Sequence, residues 1–435
     1  MQPRAEIDPG CPVRGGSRRS GLSDTIAFQR RPLRTFARLQ QSRGDPFPLR
    51  SLLGGRLLVV GSPDLAHEIL HAPAGTYLAG AANRRILPIL PKNTVLTLDG
   101  DAHHARRRLL TPLFHGDALD AITPAIREIA AWEIDHWPVE RPFAVLPRTR
   151  SLALCIAARL ILGLEDHAHV QELERHLTRA LSLYPMLTSI QALRALGPAS
   201  PQAAAERRRR EFARGLAEVM RRPTAATADD ASTALESLSA DEVFALLLAA
   251  HETTATALAW AIDQLARAPE VANALADERR GAARPLWDGV IWETLRLRRP
   301  LVDIVRQTSG PVSLAGCDVP TGTLLLIPPP LIHRHGAQPD PDRFEPARFL
   351  AGRPDPHTWL PFGGGDRRCL GASLALLELR EIIPQIIERF ELGPANPSPE
   401  RPKLYGTALV PAAGARVVLQ KRRQALRTWA PRARP

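Results

Sequence analysis

The sequence is poor in aromatic residues, which make up 5% of its 435 residues, and it has almost no lysine. The only lysines are Lys92, Lys403 and Lys421, so nearly all of the 57 lysine and arginine residues are arginine. The formal net charge is +12. Because an arginine bias in an alanine- and proline-rich chain follows genome composition, this charge is weak support for nucleic-acid binding, and no such partner is predicted.

Cysteine is also scarce. The chain has four cysteines and no C-x-x-C pair, with widely separated positions at Cys11, Cys155, Cys317 and Cys369. This spacing excludes a disulfide-rich scaffold and a cysteine-rich zinc site. It agrees with a protein of the reducing cytoplasm, which is the predicted location.

Long apolar runs and nucleotide-binding motifs are absent as well. The first residues carry scattered arginines and no apolar stretch of signal-peptide length. The longest apolar stretch, 244–262, is interrupted by His251 and Glu252, which is unfavourable in a bilayer span. The sequence contains no G-x-G-x-x-G and no P-loop, so no flavin or nicotinamide domain is fused to it. We expect a soluble protein without a membrane span.

The apolar spacing predicts a mainly α fold with small β-sheets. Short strand-like segments lie towards the two ends of the sequence, at 56–60, 324–327 and 415–419. The middle of the chain has apolar residues at helical spacing, over 122–137, 151–164, 169–183, 206–220 and 286–298. No internal repeat of solenoid or propeller length is present.

The longest predicted helix begins after Ser239. Ser239 and Glu242 form an S-x-x-E capping box, and the helix runs unbroken until Pro269 stops it. About 28 residues at 1.5 Å each give a length of roughly 42 Å, enough to cross a whole domain. Because the helix is apolar almost all round, we expect it to be buried at the centre of the fold.

The strongest chemical signal is a glycine-rich segment, 361–371, that places Cys369 just before a helix, with Arg367 two residues upstream. Backbone N–H groups and the helix dipole at such a position favour a thiolate over a thiol. For an isolated cysteine, the alternative is a buried structural side chain beside a loop.

This segment resembles the haem-ligand loop of the cytochrome P-450 family, F-x-x-G-x-R-x-C-x-G. The matching residues are Phe362, Gly365, Arg367, Cys369 and Gly371. The resemblance covers roughly residues 30–420, as a single domain between an N-terminal tail at 1–29 and a basic C-terminal tail at 421–435. It implies the cytochrome P-450 fold, with the long central helix over haem b and Cys369 thiolate as the axial iron ligand. The absence of C-x-x-C-H excludes thioether links to that haem.

An acid and a hydroxyl interrupt the long apolar helix at Glu252 and Thr253, within 249–254. H-E-x-x-H would place a zinc ligand at the fifth position, but Ala255 stands there, so a zinc protease is excluded. Hydroxyl bonding to a helix carbonyl is the simpler interpretation for threonine. The family resemblance instead implies an oxygen-activation segment, in which Glu252 and Thr253 are catalytic and deliver protons.

Two further sets of residues match the family. Glu293 and Arg296, with Arg348 as a third partner, resemble its ExxR network, which we interpret as structural. The resemblance also assigns positions that bind the haem propionates, namely His103, Arg107, Arg306 and Arg367, with His333 as a further candidate. The neighbours His104, Arg106 and Arg108 are expected to be solvated.

The resemblance implies a monooxygenase that inserts one atom of dioxygen into an apolar substrate. Its electrons would come from a ferredoxin or flavodoxin with its reductase, docked on the Cys369 side. The predicted pocket lining is Ala249, Val302, Ile304, Leu409 and residues near 93–96. Two alternatives remain open at this point: a haem-thiolate enzyme with peroxide-driven, rearrangement or coupling chemistry, and a non-catalytic haem-binding protein.

Overall fold

The structure is a computed structural model that describes residues 24, 26–28, 30–51, 55–181, 197, 200–221, 238–278, 285–335 and 340–422. The predicted N-terminal tail therefore lies outside the described residues except at four positions. The predicted basic tail lies outside them except at its first two positions.

Thirteen α-helices occur in this part of the chain. They are α1 (Pro32–Arg43), α2 (Pro63–Leu70), α3 (Ala79–Ile86), α4 (Gly100–Leu110), α5 (Asp117–Asp135), α6 (Val145–Leu162), α7 (His167–Leu181), α8 (Pro201–Arg221), α9 (Ala240–Arg267), α10 (Pro269–Glu278), α11 (Pro285–Leu297), α12 (Pro329–His335) and α13 (Ala372–Arg389). Every helix predicted from apolar spacing is present, with ends that differ by a few residues because spacing alone does not reveal caps.

Twelve short strands accompany the helices in the described residues. They are β1 (Phe47–Ser51), β2 (Gly55–Val59), β3 (Tyr77–Leu78), β4 (Phe143–Ala144), β5 (Ile304–Thr308), β6 (Val312–Leu314), β7 (Cys317–Val319), β8 (Leu324–Ile327), β9 (Phe390–Pro394), β10 (Pro402–Tyr405), β11 (Ala408–Pro411) and β12 (Arg416–Lys421). The three predicted strands correspond to β2, β8 and β12. The others were missed because most are too short for a period-2 pattern and exist only through tertiary pairing.

The largest sheet has the strand order β1-β2-β8-β5-β3. Within it β2 and β8 are parallel, with Leu57 opposite Leu324, whereas β5 and β8 are antiparallel, with Ile304 opposite Ile327. The smaller sheets are β4-β12-β9, β10-β11 and β6-β7. The mainly α fold with small sheets is thus confirmed, and the position of β5 inside the large sheet fixes the segment that follows α11.

Helix α9 is the centre of the fold. The Ser239 hydroxyl accepts a hydrogen bond from the Glu242 amide at 3.2 Å, which confirms the predicted N-cap, but the Glu242 carboxylate binds the Val95 amide and Arg106 and does not complete a capping box. Helices α6, α8, α11 and α13 all pack on α9. The indole of Trp260 donates to the Leu409 carbonyl at 2.8 Å and ties α9 to β11. Helix α9 is long and apolar enough to cross a membrane, but most of its apolar window is buried inside the protein, as in a core helix.

The predicted ExxR network is present and buried. The Arg296 guanidinium donates two hydrogen bonds to the Glu293 carboxylate, at 2.6 and 2.8 Å. Arg348 donates to the same carboxylate at 3.3 Å, and the Glu345 amide does so at 2.9 Å. Glu293 thus joins α11 to the segment 345–349, and its charge is compensated by more than one donor, as a buried carboxylate requires.

We expect Arg348→Ala to destabilise the fold by about 2 kcal/mol, because a charged hydrogen bond to a buried carboxylate is lost. The neighbouring pair of Arg343 and Glu345 is exposed, with N and O atoms 3.5 Å apart, so Arg343→Ala should cost less than about 1 kcal/mol. Urea unfolding of both variants measures the difference. Equal losses in the two variants would contradict the structural role given to Arg348.

Candidate active site

The segment 361–371 forms a tight loop that presents Cys369 at the start of α13. The Cys369 amide donates to the Phe362 carbonyl at 2.9 Å and closes the loop. Gly365 has φ of 62°, and a Cβ at this position would lie 1.9 Å from the Leu70 carbonyl oxygen. Only glycine fits there. The close approach that requires this glycine comes from the end of α2.

Cys369 combines an accessible side chain with close surrounding protein, which indicates interior space beside it. Its side chain is accessible, yet the surrounding protein raises the pKa of the thiol by burial. The Gly371 N–H and the charges of Arg368, Arg107 and Arg299 lower that pKa without outweighing burial. The Gly371 N–H thus acts in the predicted direction and favours the thiolate, while burial acts against it. A positive charge at the sulfur, such as a metal ion supplies, favours its ionised form.

A few residues near the middle of helix α9 are accessible, although the helix is otherwise buried. Every residue from Glu242 to Ala266 is buried except Ala249, Ala250 and Thr253, which lie on one face of the helix. Such a gap in a buried helix marks a cavity wall.

Helices α9 and α13 are joined next to this gap. Thr254 hydrogen-bonds the carboxyl of Glu378, nine residues after Cys369 in sequence, and burial raises the pKa of Glu378 to about 8. The acid is thus largely neutral at pH 7, so it can be buried between the helices without a cation. This contact fixes the helix that carries Thr253 relative to the helix that follows Cys369.

Four basic side chains predicted to hold propionates lie in one region. Burial, together with the charges of Arg367 and Arg107, lowers the pKa of His103 to about 4. Burial lowers the pKa of Arg306 to about 10, again with a contribution from Arg367. Groups that shift one another's pKa in this way are near neighbours. The structure therefore brings His103, Arg107, Arg306 and Arg367 together, which we call the basic cluster.

The basic cluster lacks sufficient anions within the described residues. Its three arginines interact with two carboxylates: Asp99, which accepts a hydrogen bond from Arg367 at 2.9 Å, and the exposed Asp366. The Nδ1 atom of His103 is buried and has no hydrogen-bond partner. A group with two carboxylates beside Cys369 would balance the excess charge and satisfy this nitrogen. Haem, with its flat ring and two propionates, fits these requirements.

His333 does not belong to the basic cluster. Its Nδ1 lies 2.9 Å from the Arg296 carbonyl, and its Nε2 accepts a hydrogen bond from the Leu360 amide at 2.8 Å. Burial lowers the pKa of His333 to about 3, so the ring is neutral. Both ring nitrogens are used in joining α11 to the residue before the cysteine loop. The suggestion that His333 binds a propionate is therefore wrong.

The two candidate catalytic residues on α9 point in different directions. Thr253 donates its hydroxyl hydrogen to the Ala249 carbonyl at 2.6 Å and stays partly accessible at the cavity. Glu252 is buried and accepts two hydrogen bonds from Arg150 on α6, at 3.0 and 2.6 Å. Burial raises the pKa of Glu252, and Arg150 and Thr256 lower it. Sequence reasoning missed Arg150, whose only signal is an arginine at the edge of an apolar helix.

The structure corrects three other expectations. Val302 and Leu409 are buried in a hydrophobic cluster with Phe36, so they do not line the cavity. Arg106 was expected to be solvated, but its guanidinium lies 2.5 Å from the buried carboxylate of Glu242. Arg106 therefore neutralises a buried acid and is not a freely solvated side chain.

A buried arginine beside the loop was also missed. Arg299 donates to the Pro361 carbonyl at 2.9 Å and to the Leu301 carbonyl at 3.2 Å. Burial lowers the pKa of Arg299 to about 10. Its sequence signal is weak, because arginine is common in this chain and Arg298 precedes it. Arg299 holds the beginning of the cysteine loop against the segment that follows α11.

Comparison with known proteins agrees with this geometry. A family model described as cytochrome P450 matches residues 199–418. The chain is 33% identical over 432 residues to a Mycobacterium tuberculosis protein named as cytochrome P450 135B1, covering 92% of this chain and 90% of that protein.

Solved structures show the same fold. Retinoic acid-bound cyanobacterial CYP120A1 matches with a TM-score of 0.75 and 21% identity, over 92% of this chain and 96% of the other. CYP175A1 from Thermus thermophilus matches with a TM-score of 0.74 and 25% identity, over 93% of this chain and 99% of the other.

Proposed function

Because the chain belongs to the cytochrome P450 family, whose members are generally haem-thiolate monooxygenases, we propose that Cys369 supplies the axial thiolate and that the enzyme oxygenates an apolar substrate. The observation that carries this proposal is Cys369 itself, which is accessible at the start of α13 although protein surrounds it. When bound, haem supplies the dioxygen chemistry: one oxygen atom enters a C–H or C=C bond, and the other leaves as water after two electrons and two protons are consumed.

The basic cluster would hold the cofactor's carboxylates. Arg107, Arg306 and Arg367 offer guanidinium donors suited to paired carboxylate oxygens, and His103 offers the unpartnered Nδ1. Around the iron ligand, the Gly365 turn sets the loop and the Gly371 N–H donates to the sulfur. The ring of Phe362 lies at the entry of the same loop. These residues orient the cofactor and exclude water from its thiolate side.

Protons would reach the cavity through Thr253. Its hydroxyl, held by the Ala249 carbonyl, faces accessible space and can pass a proton into it. Glu252 would supply that proton from the protein side after separating from Arg150, which at present neutralises its charge. Burial raises the pKa of Glu252 and so eases its protonation.

An enzyme of this kind needs an electron donor, and we place the donor on the Cys369 side. Arg368 is exposed and adjoins the ligand, and Arg108 is exposed on α4 beside Arg107. An acidic ferredoxin or flavodoxin, with its reductase, would bind such a surface in the cytoplasm. Arg106 does not contribute, because it is paired with Glu242.

Cys369→Ser should remove the thiolate ligand and abolish oxygenation, since a serine hydroxyl does not replace a thiolate at iron. The measurement is the ferrous–CO spectrum of both proteins. The wild type should give the red-shifted band of a thiolate complex and the variant should lose it. A wild type without the band, or a variant that keeps it, contradicts the assignment.

Thr253→Ala should uncouple electron use from product formation, with peroxide released, because the hydroxyl at the cavity is lost. Thr253→Ser keeps a hydroxyl and is the matched control, expected to stay close to the wild type. Product and peroxide formed per reducing equivalent are measured in all three proteins. An alanine variant that couples as well as the serine variant would exclude this role for Thr253.

Arg368→Glu should slow electron transfer from an acidic donor and flatten its dependence on salt, because exposed charges are screened over about 10 Å at 0.1 M salt. Arg401→Glu makes the same charge change at an exposed position beside the β10–β11 hairpin and should have little effect. Stopped-flow reduction at increasing ionic strength measures both. Equal rates in the two variants at all salt concentrations would place the donor elsewhere.

A further inference from the structure

One acidic residue lies in the segment after α11, where the sequence predicts apolar residues that line the cavity. Asp303 lies in the segment between α11 and β5, flanked by Val302 and Ile304. Val302 is buried in the hydrophobic cluster with Phe36, and the Cδ1 of Ile304 reaches to 3.7 Å from where a Cβ on Gly363 would lie. Asp303 thus lies between apolar neighbours, one of which contacts the cysteine loop.

The side chain of Asp303 is partly accessible although protein surrounds it, which indicates interior space beside it. It keeps part of its surface accessible, yet burial raises the pKa of its carboxyl to about 6. Cys369 shows the same combination of access and burial. Within the described residues Asp303 makes no hydrogen bond and no ion pair. A carboxylate that is buried and unpaired is costly, so its position calls for a partner that arrives from the cavity.

Charge interactions indicate which part of the cavity Asp303 faces. Arg299 is the charged group that lowers the pKa of Asp303, and the charge of Arg299 also lowers the pKa of Cys369. The residues of the basic cluster do not contribute to the pKa of Asp303. Asp303 is therefore not assigned to the basic cluster.

Arg299 does not satisfy Asp303 as an ion-pair partner. Its Nε and Nη1 atoms donate to the carbonyls of Pro361 and Leu301, and no nitrogen of it lies within 4 Å of the Asp303 carboxylate in the described residues. The negative charge therefore remains available to a ligand.

We propose that Asp303 is a specificity-determining residue that binds a positively charged nitrogen at one end of the apolar substrate, so that the enzyme prefers apolar molecules that carry an ammonium group to those that carry no charge. This inference rests on the proposed function of the cavity. A carboxylate in an otherwise apolar pocket discriminates strongly between cationic and neutral ligands, because a neutral ligand would bury the carboxylate without compensating its charge.

The test uses the haem-loaded enzyme and two probes of equal shape. The cationic probe is (4-phenylbutyl)trimethylammonium, whose quaternary nitrogen has no lone pair for iron, and the neutral probe is its tert-butyl analogue. Titration calorimetry and the haem spin-state shift measure binding. At pH 8 the wild type should bind the cation at least about tenfold more tightly, and Asp303→Asn should remove this preference.

Two variants control the result. Asp303→Glu keeps the charge and should retain most of the preference, whereas Asp318→Asn removes an exposed carboxylate on β7 and should change nothing. Affinity of the wild type for the cation should fall as pH is lowered through about 6, because the Asp303 carboxyl becomes protonated. The affinity for the neutral probe should not change with that pH.

The outcomes separate this inference from the proposed function. A wild type with the thiolate ferrous–CO band but no preference between the probes overturns only the role of Asp303. Equal loss of affinity for both probes in Asp303→Asn also overturns it, since that result indicates a packing role. A wild type whose ferrous–CO spectrum lacks the thiolate band overturns the proposed function itself.

Discussion

A reactive sulfur can face an interior cavity only if its loop is fixed from several sides by the surrounding fold. Here Arg299 binds the Pro361 carbonyl, His333 accepts from the Leu360 amide, and Gly365 packs against the end of α2. These contacts come from three separate parts of the chain, and none of them involves the cysteine. The sulfur therefore keeps its access to the cavity because other groups make the contacts that hold the loop.

The buried network around Glu293 also helps to hold the cysteine loop in place. Arg296 donates to Glu293 through its guanidinium, while its backbone carbonyl contacts His333. One short helix, α11, thus anchors the segment 345–349 through a carboxylate and the start of the cysteine loop through an imidazole. This explains how residues with no contact to a ligand are nevertheless necessary for the site.

Charge is distributed unevenly around the cavity. The basic cluster has more cations than anions and suits a dianionic cofactor, whereas Asp303 is an acid with no partner in the described residues. Buried Glu252 and Glu242 are instead compensated by Arg150 and Arg106. Because uncompensated charge inside a protein is unfavourable, the two uncompensated regions are the places where ligands are expected to bind.

The sequence by itself determined the family, the long central helix and the loop that carries Cys369, because these depend on local features. Capping at Ser239, the glycine loop around Cys369 and the spacing of Glu293 and Arg296 are all visible within a few residues. A local pattern is sufficient when a short segment makes the interaction.

Tertiary structure decided which charged side chains are paired and which face the cavity. Nothing local distinguishes Arg106 and Arg150, which neutralise buried acids, from the many solvated arginines of this chain. Histidine is a residue type that often binds ligands, but both ring nitrogens of His333 are occupied by backbone groups. No local pattern singles out Asp303 either. Burial and pairing depend on residues that are distant in sequence, and only the folded chain brings them together.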